Sequence, residues 1–234
     1  MLDVTAEGRA KHLLDEFGEA LAGRDIDRAV GLFQEDCYWR DLVTFTWNLY
    51  TAEGKDQVRH MLSQQLDTTD PYGWALDGQE TVAEEDGVIT AWFTFETAVA
   101  RGYGLLRLKD GLIWTLLTTM SELKGHEEPL GYERPLGAKH GAAKNQKSWK
   151  EEREEELANL GRTRQPYVVI VGGGQGGIAL GARLRQLGVP TIIVEQNERP
   201  GDSWRRRYKS LCLHDPVWYD HLPYLPFPPN WPVF

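Results

Sequence analysis

The sequence predicts two unlike parts, an α+β domain followed by a trailing α/β unit. Three observations carry that prediction. Apolar residues recur at helical spacing as far as Leu66, then alternate with period two between 75 and 123, so helices come first and sheet after. At Tyr167 the pattern changes again, to continuous apolar runs on either side of a glycine-rich turn. Charge divides near the same place: 19 basic and 30 acidic residues fill 1–165, against 7 and 5 in 166–234.

Residues 6–22 read as an amphipathic helix through Leu13, Leu14, Phe17, Ala20 and Leu21, ended by Gly23. Asp25 or Asp27 can cap a second helix running through Ala29, Val30 and Phe33. Cys37 to Val43 reads as a strand. A third helix from Glu53 to Leu66 places Val58, Met61, Leu62 and Leu66 on one face. Strands are expected near 75–84, 88–100, 103–109 and 112–123 as an antiparallel meander, with Asp86-Gly87 and Asp110-Gly111 as turns. Gly125, Pro129, Gly131, Pro135, Gly137 and Gly141 then break regular structure, and Lys147 to Leu160 is a charged helix whose Glu154-Glu155-Glu156 run reads as a wet face. The expected boundaries are a domain at 1–124, a linker at 125–165 and a second unit at 166–234.

The 234 residues carry a net charge of −9, which argues against a nucleic-acid or anionic-membrane partner. There is no apolar run of the roughly 18 residues a membrane helix needs. Met1 to Glu7 has neither the basic nor the apolar region of a secretory signal. Cys37 and Cys212 lie far apart, so the expected setting is a reducing cytoplasm. No His/Cys cluster has metal-ligand spacing, and no G-x-S-x-G signature occurs.

Between the apolar run Tyr167–Val171 and a helix from Ile178 to Leu187 sits Gly172-Gly173-Gly174-Gln175-Gly176-Gly177. It matches G-x-G-x-x-G at Gly172, Gly174 and Gly177. Gly172 permits the tight turn, Gly174 lets backbone approach a pyrophosphate, and Gly177 lets helix pack on strand. The helix N-terminus, from Gln175 and Gly176 onward, then offers N–H groups to phosphate. A second apolar strand, Thr191–Glu195, ends in an acid 23 positions after Gly172. That spacing suits a ribose hydroxyl acceptor, and the carboxylate disfavours a 2′-phosphate, so FAD or NAD fits better than NADP.

Beyond Glu195 come Gly201-Asp202-Ser203-Trp204-Arg205, Tyr208, Leu213-His214-Asp215-Pro216 and a proline-rich tail. This run resembles class B flavin-dependent monooxygenases. The resemblance implies an incomplete Rossmann-type FAD-binding βαβ unit, with Trp204, Arg205 and His214 at the flavin site. It also implies oxygenation of a small organic substrate by FAD that NADPH reduces. The second glycine motif that this family uses for NADPH is not present, so the expectation is a truncated member without an NADPH site. Residues 6–124 resemble the cone-shaped nuclear-transport-factor-two-like (SnoaL-like) fold, which implies a possible homodimer through this domain. The alternative reading is a non-catalytic cone module, binding a small ligand or dimerising, with a remnant nucleotide-binding tail.

Within the first domain, Asp41 and His60 are candidates for an acid–base pair facing one cavity, against the simpler reading of a strand-end polar residue and an outer-face histidine. Trp39, Trp47, Trp74, Trp92 and Trp114 could line an apolar pocket, although plain core is the commoner use of such residues.

Overall fold

The computed structural model describes residues 5–78, 80–134, 141, 146–199 and 201–234. Met1–Val4, the expected linker breakers Pro135 and Gly137, and Pro200 lie outside the described residues. The chain divides into two compact units, Met1–Glu127 and Glu128–Phe234.

In the first unit, helix α1 (Ala6–Ala22) begins where the Thr5 hydroxyl accepts from the Gly8 N–H at 3.0 Å, and it ends at Gly23. Asp25, of the two expected acids, caps α2 (Ile26–Gly31) by accepting from the Arg28 N–H. Phe33 does not belong to this helix. Leu32 closes α2, and Phe33 opens strand β1 (Phe33–Leu42) with its side chain fully buried. At its other end β1 stops before Val43, whose φ of 60° takes it out of strand geometry. A short strand β2 (Leu49–Glu53) follows that the sequence did not announce, then α3 (Gly54–Thr69).

The single strand expected near 75–84 is two, β3 (Tyr72–Leu76) and β4 (Ala83–Glu85), separated at Asp77-Gly78, and both pair with β5 (Val88–Glu96). Strands β6 (Ala100–Lys109) and β7 (Leu112–Leu123) complete the sheet. Both expected turns form, with positive φ at Asp86 and Gly87 and at Asp110 and Gly111, as a two-residue type I′ connection requires. The strand order is β2-β1-β7-β6-β5-β3. The strands from Tyr72 to Leu123 pair antiparallel as the expected meander, and β7 also lies parallel to β1 from Tyr38↔Thr115 to Leu42↔Thr119.

One face of the sheet and the helices enclose an aromatic core of Phe17, Phe33, Trp39, Phe45, Phe93 and Phe95. Trp74 stacks on Phe95 with ring centroids 4.6 Å apart. The phenylalanines of β5 fit because β6 presents glycine opposite them: Phe93 faces Gly104 and Phe95 faces Gly102. A Cβ on Gly104 would lie 2.1 Å from the Leu117 carbonyl oxygen and 2.3 Å from the Phe93 ring.

In the second unit, α4 (Trp149–Asn159) starts with a reciprocal Ser148–Glu151 capping box and buries no residue, as its charge run implied. Strand β8 (Val168–Val171), helix α5 (Gln175–Gln186) and strand β9 (Thr191–Val194) form a βαβ unit whose strands are parallel from Val168↔Thr191 to Val171↔Val194. A short helix α6 (Asp202–Arg205) follows. Continuous apolar runs of this kind normally mark strands buried on both faces, and here they are not. Ile170 alone of the eight residues is buried, while Val171 is 88% exposed. The cause is the two-stranded sheet: α5 packs on the face holding Ile170 and Ile193, and Val169, Val171 and Val194 project from the other.

Candidate functional site

The glycine loop carries the geometry its sequence implied. Gly172 leaves β8 with φ at 103°, a region open to glycine, and its N–H donates to the Val194 carbonyl at 2.7 Å. Gly174 is the extended N-cap of α5 and contributes no side-chain cap, so the first N–H groups of Gln175, Gly176 and Gly177 have no intrahelical acceptor. At Gly177 a Cβ would stand 1.9 Å from the Gly172 carbonyl oxygen, so only glycine lets the helix start this close to the strand. The outer side of the loop is open: a Cβ at Gly176 would meet nothing within 4 Å, and at Gly174 only the Ser203 hydroxyl at 3.9 Å. Free N–H donors at the positive end of a helix dipole, beside open space, form a cradle for an anion.

Glu195 follows β9 directly and reaches this loop. Its Oε2 accepts from the Gly173 N–H, and its Oε1 accepts from the Asn197 N–H at 2.8 Å and the Asn197 side-chain amide. Those donors, the Asn197 amide first and the Gly173 amide next, hold its carboxyl below the usual carboxylate range. The 23-residue spacing from Gly172 pointed to an acid at the loop. It did not foresee that the acid would be bonded to the loop backbone, or that Asn197 would orient it.

The segment after β9 folds back on the same turn. The Gly201 N–H donates to the Gly173 carbonyl at 3.0 Å, so both backbone polar groups of Gly173 are engaged. Trp204 on α6 is partly exposed, with the Arg207 guanidinium 4.5 Å above its ring. Arg205 donates to Asp202 at 2.8 Å. Asp202 is the residue sequence reasoning passed over: it is 4% exposed and pairs with Arg199, Arg205 and Arg206. Burial pushes its carboxyl up, and the Arg205 and Arg199 guanidiniums pull it further down, leaving it below the ordinary range. Its only sequence signal was an acid set among four arginines. His214 is exposed, and no described hydrogen bond ties it to this cluster.

In the first unit the expected Asp41–His60 pair is not assembled. Asp41 is sealed in the core, where its oxygens accept from the Phe45 and Thr46 N–H groups, the Thr46 hydroxyl and the Thr118 hydroxyl. His60 is exposed on α3, beside a hollow of about 180 Å³ lined by Thr46, Tyr50, Met61, Gln64 and Gln65 but not by Asp41. The tryptophans do not share a pocket either. Trp39 is core, Trp47 is exposed at a loop tip, Trp114 lies under Arg107 and Lys109, and Trp74 borders a cleft of about 520 Å³ with Glu7, Lys11 and Asp15. Among the described residues no group of three His, Cys, Asp or Glu could hold a metal ion, and no helix is long and apolar enough to cross a membrane.

A family model described as SnoaL-like domain matches residues 14–116, so the first unit contains a SnoaL-like domain and the cone-like α+β fold expected for it stands. The chain is 41% identical over 70 residues to indole-3-pyruvate monooxygenase YUCCA1 of Oryza sativa subsp. japonica, a match covering 30% of this chain and 17% of that protein. It is 43% identical over 56 residues to an uncharacterized CzcO-like oxidoreductase of Geobacillus kaustophilus, covering 24% of this chain and 16% of the relative. The chain thus spans a small part of the length of these curated relatives. A solved NTF2-like protein of unknown function from Cytophaga hutchinsonii aligns with 51% of this chain and 92% of its own, at 17% identity and a TM-score of 0.33.

Proposed function

We propose that residues 166–234 form a FAD-binding unit and that the protein serves an NADPH-driven, flavin-dependent monooxygenation of a small organic substrate. The observation that carries this reading is the cradle itself. Gly177 stands where a side chain would strike the Gly172 carbonyl, the outer side of Gly174 and Gly176 is empty, and a carboxylate held on the Gly173 amide stands beside them. The short matches to an indole-3-pyruvate monooxygenase and to a CzcO-like oxidoreductase support the same reading.

Bound FAD would supply the redox chemistry, taking electrons from NADPH and activating oxygen. The chain's own share is binding and orientation. The free N–H groups of Gln175, Gly176 and Gly177 hold the pyrophosphate, with Gly174 leaving room for its approach. Glu195, fixed as an anion, accepts from the adenosine ribose hydroxyls and repels a 2′-phosphate. Trp204 and Arg205 lie on the segment tied to Gly173 by Gly201, and in this reading they border the nucleotide. No residue of this chain is assigned to NADPH, and His214 enters through the family resemblance alone.

A second reading has its own supporting observation: the cone is filled by aromatic side chains, and Asp41 is consumed by its loop. The SnoaL-like domain is then a non-catalytic module, for dimerisation or for a small ligand at its rim, with the nucleotide unit as a remnant. Flavin titration separates the two. The first reading predicts saturable binding of one FAD per chain, with FMN, which lacks the adenosine ribose, at least about tenfold weaker. A folded chain that binds neither overturns the first reading.

A further inference from the structure

We propose that Asp202 is the positioning residue of this cradle, acting through a relay of Arg206, Asn197 and Glu195 that ends on the Gly173 amide. The inference rests on the dinucleotide reading above and adds to it a residue outside the glycine motif.

Three features of the cluster point this way. First, one nearly buried carboxylate gathers three guanidiniums, at 2.8 Å from Arg205, 3.0 Å from Arg199 and 3.5 Å from Arg206, so the group carries a surplus of positive charge. A buried ion pair is weak evidence of stabilisation, and its better-attested use is to fix geometry. Second, the planar Arg206 fork joins two acceptors, Asp202 Oδ2 and the Asn197 side-chain oxygen, the latter at 3.0 Å. With its oxygen committed to Arg206, Asn197 must turn its NH₂ end to Glu195 Oε1, where it donates at 2.5 Å. Third, Glu195 Oε1 is thereby filled by two donors from Asn197, and Oε2 is directed to the Gly173 N–H.

The relay therefore clamps Gly173 while leaving the amides of Gln175 to Gly177 free for a ligand. Without the Asp202 charge, Arg206 loses its anchor, Asn197 can reverse its amide, and Glu195 is released from the loop. The cost falls on ligands that use the ribose acid. FMN, which lacks the adenosine ribose, is indifferent to it.

The test uses the full chain with Asp202→Asn, Glu195→Gln and the double variant. FAD and ADP are the probes, read by fluorescence and calorimetry, together with amide hydrogen exchange at Gly173 and Ile170. The expected result is at least about tenfold weaker FAD and ADP binding for each single variant, and a double variant no weaker than the worse single one, because both act on one path. Exchange at Gly173 accelerates in Asp202→Asn while Ile170 is unchanged. Losses that add in the double variant, or Gly173 exchange equal to that of the parent, overturn the proposal. If the parent chain binds neither probe, the FAD reading fails, and the relay stands or falls on Gly173 exchange alone. Should Asp202→Asn not fold, Arg206→Met and Asn197→Ala break the same relay at less buried positions and are judged by the same two outcomes.

Discussion

Asp41 is a carboxylate with no exposed surface and, among the described residues, no ion-pair partner. It is held by neutral donors alone, and the Thr118 hydroxyl that serves it takes the Trp39 indole N–H in turn at 2.9 Å. That bonding holds a loop in which Val43 and Trp47 both adopt positive φ, a costly backbone that persists when its surroundings over-determine it. Asp41→Asn should therefore lower stability by about 1–3 kcal/mol in urea unfolding, since one end of the amide would face N–H donors with a donor of its own. A second residue-level prediction concerns Glu127. The Arg101 guanidinium, followed by backbone N–H groups, lowers its carboxyl to about 2. A depressed carboxylate favours the folded state above its unfolded value near 4.5, and that contribution is lost as pH falls through the folded value. An NMR titration of the Glu127 side chain should show a midpoint about 2, and a midpoint near 4.5 contradicts the Arg101 contact. The sequence showed Asp41 as a polar residue on an apolar strand. Its partners could not be read there, because Thr118 is 77 positions away and meets it only across the β1–β7 pairing.

At the scale of elements, local chemistry was legible and non-local pairing was not. Helix α1 matches its apolar spacing from Ala6 to Ala22, and the Asp-Gly turns form where their residue types demand. Phe33 was misplaced because an apolar residue after a helical run fits either state until its packing is known. The parallel return of β7 to β1 leaves no local mark. Gly102 and Gly104 in β6 are the space that Phe95 and Phe93 occupy. Gly104→Ala should cost about 3 kcal/mol, the upper part of the overpacking range, because backbone as well as ring stands in the way. Gly31→Ala, at the end of α2 with nothing within 4 Å, should instead stabilise by roughly 0.5–1 kcal/mol. Paired urea curves check both, and equal effects at the two positions would contradict the packing described for β6.

For the whole molecule, the charge division and the change of pattern near Tyr167 led us to expect two units with a linker at 125–165, whereas the compact units divide at Glu127–Glu128. The tight turn of Gly172, the close approach at Gly177 and the reach of Glu195 to the loop were legible because a strand–turn–helix of this kind fixes residue type and spacing together. Asn197 and Asp202 were not, since their links to Arg206 exist only once α6 has folded back beside β9. FAD binding by this second unit through the Gly172–Gly177 turn is what we propose. It is tested most directly by titrating FAD into the purified chain and its Gly177→Ala variant, with circular dichroism confirming that both are folded. The predicted result is saturation at one FAD per chain and binding weakened at least about a hundredfold in the variant, a change of roughly 2.7 kcal/mol. A folded parent chain that leaves FAD free, or a variant that binds it as well as the parent, would contradict it.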